Sequence, residues 1–359
     1  MRKKLFVVSD VHGHYTMLIK KLKEAGYDKE NENHLLISLG DHFDRGNESL
    51  QVLRFFRSLE RKVLIRGNHE DLIELAFSRG YLSPTDLHNG TDKTIRSFYG
   101  KDALDSRGVL QVYGAAFDSV LAFTGGTADY YETENYIFTH GWLPARLTDR
   151  GFVLDPDWRT APTGDWRRAR FVGWEEAYPD ATPDKTIVCG HHPCAYAAGF
   201  DESRAWQDHS PYFGQGLIAM DASTYNSGQM NVLVLEDEVK DPALHEMTLD
   251  DEYFEAVKEG SKKVEMRLYD EKRQRITPLD RIRFKKKSDG QTVEVLVTGV
   301  HRYPDFATLV MDHKPIELGF PHLSGLEIAE QMSGIYSNEA IREKGAFAID
   351  IRLLSEEDL

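Results

Sequence analysis

The stretch that decides the fold runs from His34 to Gly46: His34-Leu35-Leu36-Ile37-Ser38-Leu39-Gly40-Asp41-His42-Phe43-Asp44-Arg45-Gly46. An apolar run long enough for one buried strand stops at a glycine, and carboxylate, imidazole and guanidinium groups follow at once. The same pattern recurs along the chain. Leu5–Val8 runs into Asp10-Val11-His12-Gly13, and Lys62–Ile65 into Arg66-Gly67-Asn68-His69-Glu70. Tyr136–Thr139 leads to His140-Gly141, and Thr186–Cys189 to Gly190-His191-His192-Pro193.

Between these runs lie helical patterns. One places Leu18, Ile19 and Leu22 on a shared face, and another spans Glu48 to Leu59. Strands alternating with helices predict an α/β fold with a largely parallel sheet, and further strands are expected at Gly216–Ala222 and Gln229–Leu235. Residues 78–133, rich in Gly, Asp and Tyr, read as helices and loops over the sheet edge. In such folds ligands collect at the carboxyl ends of the strands, where all five polar clusters fall. A lone Asp or His there is as often a helix cap or a satisfied polar group. Five in this order, each on a strand exit, point to a metal site. Carboxylate, imidazole and amide ligands suit manganese, iron or zinc, and no thiolate cluster suggests a structural zinc. Glycines beside the ligands let the backbone turn sharply.

Bulk properties narrow the class. At 359 residues the chain has room for two domains, since single cores rarely grow past about 250–300 residues. Its 41% hydrophobic and 29% charged residues are ordinary for a globular protein. No stretch reaches the roughly 18 apolar residues of a membrane span. The opening apolar run breaks at Ser9-Asp10, too early for a secretory signal, and only Cys189 and Cys194 are present. A cytoplasmic protein with no membrane partner is expected. A net charge of −15 argues against general coating of nucleic acid or anionic membrane.

The motifs D-x-H-G, G-D-x-x-D-R-G, G-N-H-E, H-G and G-H, over residues 4–237, resemble those of the PPP-type metallophosphoesterases. That family includes serine/threonine protein phosphatases and dinucleoside tetraphosphatases. The resemblance implies a calcineurin-like β-sandwich flanked by helices, with two divalent metals at one end. It implies that Asp10, His12 and Asp41 hold the first metal, with Asp41 bridging, and that Asn68, His140 and His191 complete the second. Manganese is the first candidate, with iron or zinc as alternatives. Two cations about 3.5–4 Å apart lower the pKa of a bridging water, whose hydroxide attacks phosphorus in line. His69 then fits the general acid, with Asp44 holding it protonated and oriented. Arg45 and Arg66 are forked donors for phosphate oxygens. A third phosphate arginine is usual between the last two histidines, and Arg170 is chosen from Trp166-Arg167-Arg168-Ala169-Arg170. Where many relatives read G-H-T-P, this chain has Gly190-His191-His192-Pro193; adjacent residues on a strand exit point opposite ways, and the family pattern selects His191. Asn89-Gly90-Thr91 resembles a substrate-cleft loop of bacterial members.

The catalytic domain is expected over residues 1–240, followed by a linker and a second domain over 246–359. Between Lys262 and Lys287 eleven Lys/Arg stand against four Asp/Glu, reversing the overall sign. A charge run is more often a solvated face than a binding site. Here, however, Gly260-Ser261-Lys262-Lys263-Val264-Glu265-Met266-Arg267 matches G-x-K-x-x-E-x-R, and the segment resembles an ASCH domain, a small PUA-like β-barrel associated with RNA. The resemblance implies a cleft lined by Lys262, Glu265 and Arg267, suited to a nucleotide or RNA, with Tyr269, Phe284 or Tyr303 stacking on a base or packing in the core.

The sequence thus reads as a metal-dependent phosphomonoesterase, first of all serine/threonine protein phosphatase-like. A nucleotide, dinucleoside polyphosphate or RNA-end phosphatase directed by the second domain is the alternative. An RNA-binding regulator is a further one, disfavoured because every ligand position is filled.

Overall fold

The structure is a computed structural model that describes residues 1–149, 151–177, 184–198 and 208–354. The chain divides into two compact units. The first comprises Met1–Leu154 and Arg167–Lys240; the second comprises Asp155–Trp166 and Asp241–Leu359. The segment Asp155–Trp166, which the expected boundaries leave inside the catalytic domain, therefore belongs with the C-terminal unit.

In the first unit, the strand Arg2–Val8 lies at the centre of a four-stranded sheet. It runs parallel to His34–Ser38, which pairs in parallel with Lys62–Leu64, and antiparallel to Val232–Glu238. A second sheet has the order Tyr131–Glu132, Tyr136–Phe138, Thr186–Cys189, Leu217–Ala219, Tyr212–Gly214, with its three central strands parallel. Alternate residues of a strand point to opposite faces. Phe6 and Val8 join a core with helix residues Leu18, Leu22, Val52, Leu53 and Phe56, while Leu5 and Val7 are fully buried on the other face. The sheet is thus covered on both sides, which is why its strands read as continuous apolar runs.

The helices follow their periodicity. Tyr15–Glu24 buries Leu18 and Leu22, one turn apart, and Ser49–Arg57 buries Val52, Leu53 and Phe56. Asn68–Arg79 buries Ile73, Ala76 and Phe77 and stops at Gly80, whose φ of 76° is the left-handed C-terminal turn that favours glycine. Pro84–Asn89 and Thr91–Tyr99 pack beside Asp44, within the stretch read as a cap.

In the second unit, a curled five-stranded sheet has the order Leu244–Leu249, Arg281–Lys286, Thr292–Tyr303, Ala346–Leu353, Val264–Leu268. Along Ala346–Leu353, Ala346 and Ala348 face one apolar cluster with Val264, Met266 and Tyr303, whereas Phe347, Ile349 and Ile351 face another with Phe254 and Phe284. Residues of Asp155–Trp166 are tied into this unit by side chains of the long strand. The buried His301 ring bonds through Nδ1 to the Ala161 carbonyl at 2.8 Å, and Tyr303 Oη accepts the Thr163 amide at 3.1 Å. Among the described residues, no helix is long and apolar enough to cross a membrane.

Candidate active site

Every ligand candidate lies just beyond a strand end of the first unit. Asp10 and His12 follow Arg2–Val8, Asp41 follows His34–Ser38, and Asn68 and His69 open the helix after Lys62–Leu64. His140 and His191 follow Tyr136–Phe138 and Thr186–Cys189. The parallel strands of both sheets therefore discharge their exits at the same end.

The local backbone is held in an unfavourable region. Asp10, His12, Asp41, Asp44, Arg45 and His191 all have positive φ, between 46° and 70°. Such left-handed positions cost a non-glycine residue of order 1–3 kcal/mol and concentrate at functional sites. Glycines supply the close approaches. A Cβ on Gly67 would collide with the Asp41 carboxylate and amide, and one on Gly190 with the Ser9 and Asp10 side chains.

Asp41 is the centre of the cluster. Its Oδ2 lies 3.6 Å from His12 Nε2 and 3.7 Å from His69 Nε2, and its Oδ1 lies 3.3 Å from His140 Nε2. Two groups of potential ligands share it: His12, Asp41 and His69, and Asp41, His140 and His191. Asn68 Oδ1 stands 2.9 Å from His140 Nε2. Asp10 adjoins through Oδ2, which accepts the His191 amide at 3.1 Å and bonds to Ser9 Oγ.

The hydrogen bonds behind the histidines decide whether a cation fits. His12 Nδ1 donates to the Phe43 carbonyl at 2.9 Å and His140 Nδ1 to the Leu39 carbonyl at 2.6 Å. Carbonyls only accept, so Nδ1 carries a proton in both rings, and loss of any proton on Nε2 would leave that atom's lone pair for a cation. Those Nε2 atoms face Asp41 oxygens and the Asn68 carbonyl oxygen. A buried cluster of such nitrogen and oxygen atoms is the donor set of a metal centre. Burial and the neighbouring charges of His69 and Arg45 hold His12 well below the ordinary imidazole range. Burial and His140 lower His191 to about 4. Burial alone would raise the Asp41 carboxyl, but the surrounding imidazoles of His140, His69 and His12 hold it far below the usual range.

His69 is different. Its Nδ1 bonds Asp44 Oδ2 at 2.7 Å, and burial, which lowers its pKa, is outweighed by Asp41 and by the Asp44 bond, which raise it to about 9. Asp44 is in turn fixed by Thr94 Oγ1 at 2.9 Å and Thr91 Oγ1 at 3.0 Å. The Asn89-Gly90-Thr91 segment therefore acts on this pair: Thr91 holds Asp44, and the Asn89 carbonyl accepts the Arg45 amide at 3.1 Å.

The arginines separate into two kinds. Arg45 makes no carboxylate ion pair among the described residues, while its charge acts on His12 and His69. Arg66 and Arg170 meet on one carboxylate, Asp71. Arg66 pairs with Asp71 and Glu74, each at 2.7 Å, and Arg170 with Asp71 and Asp129, each at 2.8 Å. Burial would raise Asp71, but the two guanidiniums bring it to about 2. His192 turns away from the ligand cluster, against Glu175 and stacked on Tyr196 at 5.0 Å.

The family model for calcineurin-like phosphoesterases matches residues 3–220. The chain belongs to that family. Members of that family work with a dimetal centre. A second family model, the ASCH domain, matches residues 247–355. The chain is 36% identical over 202 residues to serine/threonine-protein phosphatase 2 of Salmonella typhimurium, covering 55% of this chain and 83% of that protein. It is 41% identical over 68 residues to serine/threonine-protein phosphatase 1 of the same organism, a match spanning only 30% of that protein and 19% of this chain. It is also 40% identical over 77 residues to a symmetrical bis(5′-nucleosyl)-tetraphosphatase of a Marinomonas species, covering 21% of this chain and 27% of that protein.

Sequence reasoning gave no role to Glu70, Asp71 or Asp221. Glu70 accepts the amides of Asp41 and His42 at 3.0 Å each and of Gly67 at 2.8 Å, clamping two ligand loops together. Its one legible signal is the helix-start position three residues after Gly67. Asp221, buried after the strand Leu217–Ala219, is pushed well above the ordinary carboxyl range by burial and by Asp10.

In the second unit Lys262, Glu265 and Arg267 do come together. Lys262 Nζ lies 3.2 Å from Glu265, whose other oxygen takes Arg267 at 2.5 Å. The ammonium also bonds the Val264 and Leu318 carbonyls at 2.7 and 2.8 Å, so its three donors are all engaged. Phe284 and Tyr303 are buried core residues. Much of the basic run is paired: Arg273 with Asp270, Arg281 and Arg283 with Glu294, Lys286 with Glu255, and Lys287 with Asp250.

Proposed function

We propose that the first unit hydrolyses phosphomonoesters with two divalent cations. Asp10, His12 and Asp41 would hold one, and Asp41, Asn68, His140 and His191 the other. The observation that carries the reading is Asp41, whose Oδ2 faces His12 Nε2 and whose Oδ1 faces His140 Nε2, so that one carboxylate belongs to both groups of potential ligands. Oxygen and nitrogen donors without thiolate favour manganese, with iron or zinc as alternatives. When bound, the cations supply Lewis acidity at phosphorus and a water acidic enough to lose its proton near neutral pH.

The chain's own groups account for the rest. Arg45, without a carboxylate partner among the described residues, is the guanidinium best placed to take phosphate oxygens. Arg66 and Arg170, anchored through Asp71, support that positive wall rather than approach the phosphate freely. His69, with Asp44 behind it, keeps a proton for the leaving alkoxide.

For substrate class, the extent of the match to a serine/threonine phosphatase favours phosphoserine or phosphothreonine in protein. The match to a nucleosyl tetraphosphatase, together with the ASCH domain, favours a nucleotide or RNA end. Direct RNA contact through Lys262, Glu265 and Arg267 would have to displace bonds these groups already make. A cytoplasmic location accords with two buried cysteines that form no disulfide. Phosphate release by the manganese-loaded full-length chain, from phosphopeptides and from nucleotides in parallel, tests the reading; no release from either would overturn it.

A further inference from the structure

Two aromatic rings with large exposure belong to the first unit, one edge-on to His191 and one against Lys93 and His14. Phe171, 48% exposed, has its ring 6.5 Å from that of His191 at an edge-on 75°. Tyr225, 51% exposed, lies under Lys93 Nζ at 4.9 Å and 6.4 Å from the ring of His14. Lys93 Nζ also bonds the Arg45 carbonyl at 2.8 Å, which ties Tyr225 to the phosphate-binding turn.

Scattered exposed apolar residues are ordinary on protein surfaces. These two are held in place by the site itself. Tyr225 rises from a short turn, Thr224–Ser227, that begins at Ser223, a buried residue with φ of 54° whose amide is bonded to Asp221 at 2.6 Å. Phe171 follows Arg170, whose guanidinium is paired with Asp71 and Asp129. A ring whose base is anchored loses less freedom when another ring stacks on it.

Resting on the hydrolase reading of the same site, we propose that Phe171 and Tyr225 are specificity-determining residues. They select phosphate esters whose alcohol part carries a planar aromatic group: Phe171 flanks the position held by His191, and Tyr225, with Lys93 on its face, flanks the Arg45 side. A nucleoside and a tyrosyl ring share that chemistry. A seryl ester has nothing to stack.

The test uses the full-length, manganese-loaded chain and three small substrates: a nucleoside 5′-monophosphate, O-phosphotyrosine and O-phosphoserine. The wild-type chain should have a higher kcat/KM for the aromatic esters than for O-phosphoserine. Tyr225→Ala and Phe171→Ala should each reduce that ratio about tenfold, the scale of one lost stacking contact. Tyr225→Phe should keep it. Whichever aromatic ester shows the larger ratio change identifies the source of the ring. Ratios in both alanine variants within about twofold of wild type would overturn the proposal, as would a wild-type preference for O-phosphoserine. Failure of the wild-type chain to hydrolyse any of the three would instead remove the hydrolase reading beneath it.

Discussion

His69 and Asp44 carry the most distinctive chemistry at the scale of single residues. An imidazole bonded to a buried carboxylate at 2.7 Å, which favours its protonated form, is suited to give a proton to a poor leaving group. His69→Ala should therefore lower turnover of an alkyl phosphate by about 10²–10⁴-fold, and much less with an activated aryl phosphate, whose leaving group needs no proton. Metal content by elemental analysis should stay at the wild-type level. A variant that loses its metals would show His69 to be a ligand instead. Glu70 allows a second expectation. Its carboxylate serves three amides at 2.8–3.0 Å and lies 3.1 Å from His42 Nδ1. Glu70→Ala strands these buried donors, so thermal denaturation should report a loss of about 1–3 kcal/mol or more, with weaker metal binding.

Each strand exit carries its candidate ligand on a sharp turn. That these positions fall at strand exits was legible because polar residues follow apolar runs without a spacer, and the glycines beside them mark where the backbone must turn or approach another chain segment. Less was legible about what holds the turns. Glu70 reaches amides 28 and 29 residues away, and Asp71 takes Arg170 across 99 residues, so neither bond leaves a local pattern. Periodicity reports which face of an element is buried, but not which carboxylate a guanidinium meets. Gly67 supplies the prediction at this scale. Gly67→Ala places a methyl against the Asp41 carboxylate, and should abolish stoichiometric metal binding in a titration while far-UV circular dichroism remains close to wild type.

For the whole molecule, the chain divides into two compact units, and one of them is completed by a segment far from it in sequence. Asp155–Trp166 belongs to the C-terminal unit although about 75 residues of the first unit follow it in sequence, from Arg167 to Lys240. Its ties to His301 and Tyr303 span 140 residues, and local patterning is blind to them. A fragment starting at Asp241 lacks that segment, leaving His301 and Tyr303 without the Ala161 and Thr163 partners. It should unfold at a lower temperature than the same unit in the intact chain; an unchanged melting temperature would show the segment to be dispensable. The basic run illustrates a related limit, since a count of charges cannot show that Glu294, Glu255 and Asp250 lie opposite. The central claim, two cations sharing Asp41, is tested most directly by metal content per chain and phosphate release measured together on wild type and Asp41→Ala. The account predicts two equivalents in wild type, with both cations and turnover lost in the variant; a variant that keeps two metals and its activity would contradict it.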